Sequence, residues 1–459
     1  RICLQGFSPK DGRRLWSFEP RQIWRKGGCY MGEVFGAQGL IWAHIDVEAD
    51  AASKNTGQRP SAWVGLDPPS GEVRKRFDDA TGEAEMSEIL AQGIHRCNRG
   101  RATENYCLFG TYEFLEWKTG KYHVSNIARS TCGTSVGMLP ANGLVYVPPP
   151  TCVCRSYMQR GGFQAFAASR PAPVESDRRE RLEPGPAMGA VAVGAAGADD
   201  WPCYRHDPAH TGATASQLPA KLKPLWETPV GAGLTAVSVA GGRAFAAASA
   251  EHRVVALDAA GGKPLWSFTA GGRVDSPPTV SGSAVLFGCR DGWVYCLQAA
   301  DGKLAWRFRA APAEELIMVD GQLESAWPVH GSVTLLDGVA YCAAGWHTGL
   351  DGGISLWGLR PGDGQVVLEK RLEKLPGHFA SANFPVALPG TDGKTLWMGR
   401  WQIDAGSGTP KHASVPRGVV SFGVSGFQDN EWALFSNTKE QLNWSDGRAA
   451  GRMLVSGPE

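Results

Sequence analysis

Short apolar runs recur along this chain, such as Val254-Val-Ala-Leu257 and Val294-Tyr-Cys-Leu297, each closed by a turn rich in Asp and Gly. Short apolar runs bounded by such turns predict buried β-strands joined into hairpins. One of these hairpins is written twice, forty positions apart: Val255-Ala-Leu-Asp-Ala-Ala-Gly-Gly-Lys-Pro-Leu-Trp266-Ser-Phe268 and Tyr295-Cys-Leu-Gln-Ala-Ala-Asp-Gly-Lys-Leu-Ala-Trp306-Arg-Phe308. Looser copies are centred on Gly12, Gly71, Gly120 and Gly364, making six in all. In each, the carboxylate or other polar residue can accept backbone N–H bonds and the glycine supplies a positive φ. Complementary hairpins carry Asn142-Gly143, Ser281-Gly282 and Asp337-Gly338 turns.

Self-similarity at this period, made only of strands, is the mark of a β-propeller. The fold class expected is therefore all-β. The six turn copies, the strands near Val145 and the C-terminal strands give seven or eight blades, and eight four-stranded blades is the preferred reading. Trp16, Trp266 and Trp306 recur at one repeat position and are expected to be wedges between blades. Spacings of fifty to sixty outside the central pair predict loop insertions. Residues 1–168 and 201–459 are read as N- and C-terminal sets of blades in one ring. The Pro-, Ala- and Gly-rich stretch 169–200 is read as a linker or insertion between them. Two incomplete propellers form the alternative. The chain opens on Arg1 directly into a repeat and reads as a fragment or processed piece. The stretch from Gly426 to Glu459 stops short of a whole blade, so a strand from the N-terminal segment is expected to complete it.

Composition narrows function by exclusion. Lys plus Arg is 46 and Asp plus Glu is 45, which gives no overall field to attract nucleic acid. The short basic cluster Arg178-Arg-Glu-Arg-Leu182 is expected to be solvated surface. No apolar run reaches the roughly 20 residues of a transmembrane helix. The eleven cysteines leave the redox compartment open. Cys3, Cys289, Cys296 and Cys342 lie in apolar strand patterns and are expected to be buried free thiols.

The runs Val254-Val-Ala-Leu-Asp-x-x-x-Gly-Lys-x-Leu-Trp266, Gly271-Gly-Arg-Val-Asp-Ser-Pro-Pro-Thr-Val280 and Phe287-Gly-Cys-Arg-Asp-Gly-Trp-Val-Tyr295 resemble the pyrroloquinoline-quinone (PQQ)-like repeat. That repeat builds eight-bladed quinoprotein dehydrogenases and BamB-like assembly lipoproteins. Trp201-Pro-x-Tyr-Arg-His-Asp207 to Gly212 looks like the strap that begins such propellers, and the likeness is strongest from 201 to about 370. Residues 95–103 and 138–154 are similar to an uncharacterised planctomycete-type subgroup. The resemblance implies a periplasmic or outer-membrane-associated protein. It also implies either a binding scaffold for a protein or glycan partner, or an oxidoreductase holding PQQ with Ca²⁺. The oxidising members stack the quinone between a tryptophan and a disulfide of adjacent cysteines. This chain has no Cys-Cys dipeptide, and its Ca²⁺ ligands and base aspartate cannot be placed by motif. A non-catalytic scaffold is therefore preferred.

Three clusters carry candidate chemistry. His95, Cys97, Cys132, Cys152 and Cys154 offer imidazole and thiolate ligands suited to Zn²⁺ or a similar metal. Disulfides and buried thiols remain open as alternatives, and the absence of Cys-x-x-Cys-His leaves covalent haem without support. His206 and His210 bracket Asp207, but Pro208 and Thr211-Gly212 predict a turn, with Arg205 and Asp207 paired across it. Glu324-Ser-Ala-Trp327-Pro-Val-His330-Gly-Ser332 mixes acid, imidazole and hydroxyl without a Gly-x-Ser-x-Gly elbow. It is read as packing and a face-lining loop, with Trp327, His330 and Trp346 as the ligand-contact candidates. The non-repeating Trp201, Trp401, Trp432 and Trp444 are further candidates for a binding face.

Overall fold

The computed structural model describes residues 3–19, 22–23, 34–46, 61–78, 101–109, 113–124, 138–147, 163–168, 180–209, 211–217, 221–319, 321–346, 348, 350–373, 390–391, 395–398, 401–412, 419–423 and 432–436. They form two units, 1–168 and 169–459. Both are built of antiparallel sheets, most of whose strands follow chain order, as in the blades of a propeller.

The first unit holds a hairpin (Leu4–Phe7 with Arg14–Phe18), a sheet centred on Leu40–Asp46 and Ser61–Leu66, a four-stranded sheet from Arg101–Ala102 to Tyr122–Val124, and a three-stranded one from Leu139–Ala141 to Gln164–Ala167. Its main aromatic core stacks Trp42 on Phe77 at 5.5 Å and sets Trp117 4.4 Å from Trp42.

In the second unit four blades follow one another. The first is Ser238–Ala240, Arg243–Ala248, Arg253–Asp258 and Pro264–Thr269. The second is Thr279–Ser281, Ala284–Gly288, Trp293–Gln298 and Leu304–Arg309. The third runs from Thr334–Leu336 to Val366–Leu372, and the fourth from Gly390–Thr391 to Pro410–His412. Hydrophobic clusters lie between consecutive sheets, so each blade buries its faces against its neighbours.

The tryptophan wedges are present, and one contact defines them. Each indole N–H donates to a carbonyl in the turn between strands three and four of the next blade. Trp266 reaches Ala299 at 2.9 Å, Trp306 reaches Pro361 at 2.9 Å, and in the first unit Trp16 reaches Pro68 at 2.7 Å. The turn glycine lies under the indole: a Cβ at Gly302 (φ 72°) would sit 2.6 Å from the Trp266 ring. Gly71 and Gly364 face Trp16 and Trp306 in the same way. Asp258 and Asp301 close their turns by accepting the N–H groups of Gly261 and Lys303, as the motif predicts. A register shift recurs at Leu66, Leu257, Leu297 and Leu359, just before these turns.

Sequence reading missed a wedge. Lys223-Pro-Leu-Trp226 repeats Lys263-Pro-Leu-Trp266 word for word, forty positions earlier. Trp226 donates to Ala259 at 3.0 Å and covers Gly262. It escaped notice because no Asp-Gly turn precedes it. A seventh turn, Asp404 to Gly408, was missed too.

Two expectations are corrected. Arg181 is only 2% exposed rather than solvated: its guanidinium donates to the carbonyls of Arg309 and Ala311 and lies over Trp357. It pins the short strand Leu182–Pro184 as a fifth strand beside Leu304–Arg309, within the stretch whose composition suggested a linker. Cys3 is exposed, whereas Cys289, Cys296 and Cys342 are buried free thiols as expected. Burial pushes the Cys296 thiol up to about 12.

The wedge contact predicts two stability losses in urea unfolding followed by tryptophan fluorescence. Trp306→Ala empties a fully buried site and is expected to cost about 3–5 kcal/mol. Gly302→Ala combines a positive φ with a collision on Trp266 and is expected to cost about 1–3 kcal/mol. A neutral Gly302→Ala would show that the turn does not bear on the indole.

Candidate functional site

Because consecutive strands alternate direction, the turns between strands two and three and the links between blades gather at one end of the second unit. The wedge turns occupy the opposite end. The connection end carries Arg273–Thr279, Cys289–Gly292, the long link 310–333 and Gly345–Gly353.

Arg290 is the hub there. Its Nε donates to Asp275 Oδ2 at 2.8 Å and its Nη1 to Glu324 Oε2 at 3.2 Å, with all three side chains buried or nearly so. Arg273 holds the other oxygen of Glu324. Asp275 Oδ1 accepts the Gly331 N–H at 2.9 Å, tying the two links together. Burial alone would raise the Asp275 pKa, but Arg290, His330 and the Gly331 N–H outweigh it and hold it below the ordinary 3.8. Burial likewise opposes the charge on Arg290, and its two carboxylates outweigh that. The neighbouring Asp291 goes the other way. Burial raises its pKa despite the hydrogen bond donated by Tyr295 Oη at 2.5 Å, and the Tyr295 phenol is itself pushed up.

His330 and Trp346 stack at 4.9 Å, and the Arg290 guanidinium lies 5.4 Å from the Trp346 ring centre. The structure thus brings His330 and Trp346 together. Trp327 is 1% exposed in the core between the second and third blades, donating to the Asp351 carbonyl at 2.7 Å. Sequence reading overlooked Arg290, Asp275 and Arg273 as a site; the signal was the pair of motifs Arg273-Val-Asp275 and Cys289-Arg-Asp291, which lie between strands and look like ordinary turns. Trp201 is half-buried, bridged to Val239 and edge-on to His206. The Asp207 segment is a turn, as predicted, but Asp207 pairs with Thr211 and His206 rather than with Arg205. Asp207 accepts from Thr211 N at 3.1 Å and lies 3.4 Å from His206 Nδ1. Burial opposes its charge, and Thr211 with His206 outweighs that and lowers its pKa. His95, Cys97, Cys132, Cys152, Cys154, His210 and Trp444 lie outside the described residues, as do the side chains of Trp401 and Trp432.

The resemblance implies PQQ with Ca²⁺, and the described candidates do not fit them. Trp346 is packed on His330 and Arg290 rather than open to a planar ring, and Trp327 is buried. Asp275 and Glu324 are engaged by arginines. Among the described residues no three His, Cys, Asp or Glu side chains converge as a metal-ligand set. Among them, too, no helix is long and apolar enough to cross a membrane.

Residues 204–384 match the profile of a family described as outer membrane protein assembly factor BamB, which places the PQQ-like, BamB-like β-propeller repeat in that part of the chain. No curated protein matches the sequence. Among solved structures, the quinohemoprotein alcohol dehydrogenase of Comamonas testosteroni is 16% identical over 46% of this chain and 40% of its own, with a TM-score of 0.35. A europium-containing methanol dehydrogenase is 15% identical over 46% of this chain and 41% of its own, at 0.32. BamB from Moraxella catarrhalis is 10% identical over 86% and 87%, at 0.23. The chain thus spans about 40% of the length of the two dehydrogenases.

Two consequences can be measured. Arg290→Met leaves the buried Asp275 without its guanidinium and Glu324 with Arg273 alone, and is expected to cost about 3–5 kcal/mol. Arg253→Met breaks a partly exposed pair with Glu251 and a bond to the Val230 carbonyl, and is expected to cost clearly less than Arg290→Met. A carboxylate with a depressed folded pKa contributes stability above its unfolded pKa and loses it as pH falls through the folded value. Acid titration of the melting temperature should therefore show a loss below about pH 4, made shallower by Asp275→Asn. Asp291, with its raised value, contributes in the opposite sense: stability present below 3.8 is lost as pH rises through the folded pKa.

Proposed function

We propose that this protein is a non-catalytic propeller of eight four-stranded blades that binds a protein or glycan partner through the face built by its connecting loops. The observation that carries the reading is the use of charge at that face. Arg290 is committed to Asp275 and Glu324, and Glu324 to Arg273 as well, so the groups most suited to acid–base or anion chemistry brace the links against one another. A loop surface held rigid by buried pairs is suited to recognition, which needs a fixed shape more than reactive groups. A periplasmic or outer-membrane-associated location is proposed on the matched family's description as an outer-membrane assembly factor.

The reading is tested by incubating the purified protein with PQQ and Ca²⁺, desalting it, and recording its absorbance and metal content. We expect no stoichiometric quinone. Retained quinone would replace the scaffold reading with an oxidoreductase. About one bound Zn or Fe, lost in Cys152→Ser/Cys154→Ser, would move the function to the His95, Cys97, Cys132, Cys152 and Cys154 cluster.

A further inference from the structure

Where a third and a fourth strand pair in these sheets, the residue opposite the wedge position is repeatedly small. Gly6 faces Trp16, Gly65 faces Lys75, Ala256 faces Trp266, Cys296 faces Trp306 and Gly358 faces Leu368. The outer side chain lies across that residue, and a Cβ on Gly6 would collide with the Trp16 ring.

The inner hairpin locates the same position. In the first blade of the second unit Ala240 faces Arg243, Arg243 faces Asp258, and Phe245 faces Ala256. In the second blade Ser281 faces Ala284, Ala284 faces Gln298, and Leu286 faces Cys296. The sheet from Leu139–Ala141 to Gln164–Ala167 has the same ladder: Ala141 faces Leu144, Leu144 faces Ala167, and Tyr146 faces Ala165. Ala165 is thus the small residue of a third strand, yet this sheet holds only three strands. Phe163, two positions before it, is 65% exposed, where the equivalent Val254 and Val294 are fully buried.

The second unit holds the converse, the sequence of a fourth strand without the first three. Lys223-Pro-Leu-Trp226 copies the outer strand of the first blade, Trp226 donates to Ala259, and Thr228 Oγ1 donates to the Gly262 carbonyl at 2.7 Å. Among the described residues no strand pairs with 222–230. Trp16, Trp266 and Trp306 each reach a turn of the next blade along the chain. By the same rule Trp226, which reaches the first blade of the second unit, belongs to the sheet that precedes it, and that sheet is 139–167.

We infer that 222–230 is the fourth strand of the blade begun by Leu139–Ala141, with Trp226 laid on Ala165, and that 169–221 is an insertion within that blade. The boundary between the two units then falls inside one blade, directly after its third strand. This blade dispenses with the glycine turn because the outer strand before it, Tyr122–Val124, brings no tryptophan to meet one. A fourth strand begins at the wedge end, and the insertion is found there as it approaches 222. Ala192 N donates to Ser283 Oγ at 2.8 Å and Ser281 Oγ to the Gly194 carbonyl at 3.0 Å, on either side of Gly282. The pairing holds whether the loop face takes a partner or a cofactor.

The test is a double-mutant cycle in the full chain, read as urea midpoints by circular dichroism. Ala165→Leu is expected to lower the midpoint, because the added carbons press on the indole. In a Trp226→Ala background the same leucine fills the space left and is expected to lower it no further. Equal effects in both backgrounds would overturn the inference. Hydrogen exchange on the unsubstituted chain gives a second reading. Alternate amides within 225–229 are expected to exchange at least about a hundredfold more slowly than in an unstructured peptide, at any protein concentration. Peptide-like exchange there would overturn the pairing. So would protection that appears only where sedimentation shows a dimer, since the third strand would then come from a second copy.

Discussion

The contact between a wedge indole and the glycine turn of the next blade is the constraint on which the described architecture depends. It fixes spacing at one end of each blade by two demands at once: a carbonyl placed to accept the indole N–H, and no Cβ beneath the ring. Trp226, Trp266 and Trp306 meet Gly262, Gly302 and Gly364 in this way, although the last pair is separated by many more residues than the first two. The extra residues leave that contact undisturbed because they enter at the other end, in the link between blades. A propeller built this way can lengthen its connections freely, so its variable surface is confined to the connection end.

That end has its own constraint. Arg290, Asp275, Glu324 and Arg273 form a buried network in which every charge has an opposite neighbour. Such networks contribute little net stability, since desolvation offsets most of the Coulomb gain, but an incomplete one is costly. Their effect is to select one arrangement of the links that carry them. The links 270–278 and 310–333 are therefore tied to each other through side chains, and the 316–325 hairpin inherits its position from Glu324.

Much of the fold was legible because it repeats. Trp16, Trp266 and Trp306 could be assigned as wedges from recurrence alone, and the Asp and Gly turn residues from their chemistry. Trp226 was harder, since its strand follows an irregular stretch and no turn motif announces it. Arg181 was misread because a basic cluster looks solvated until the carbonyls of Arg309 and Ala311, well over a hundred residues away, are seen around its guanidinium. Cys3 sits at the start of an apolar run but at an exposed edge. The candidate site was less legible for the same reason: its bonds join residues distant in sequence, and Arg-Val-Asp or Cys-Arg-Asp look like any strand end.

Residue type alone also misjudges where function resides. Asp275 and Asp291 lie sixteen positions apart and are both largely out of solvent, yet their carboxyls shift in opposite directions: Arg290 outweighs desolvation at Asp275, whereas the neutral phenol and thiol beside Asp291 do not. Trp327, His330 and Trp346 are the chemically eloquent residues of their segment, and packing has consumed them. Leu316, Met318 and Leu323 are chemically plain, and they are what this link presents to solvent. In a molecule whose reactive groups are spent on holding loops in position, the surface available for recognition is what those loops leave uncovered, and in this link that surface is apolar.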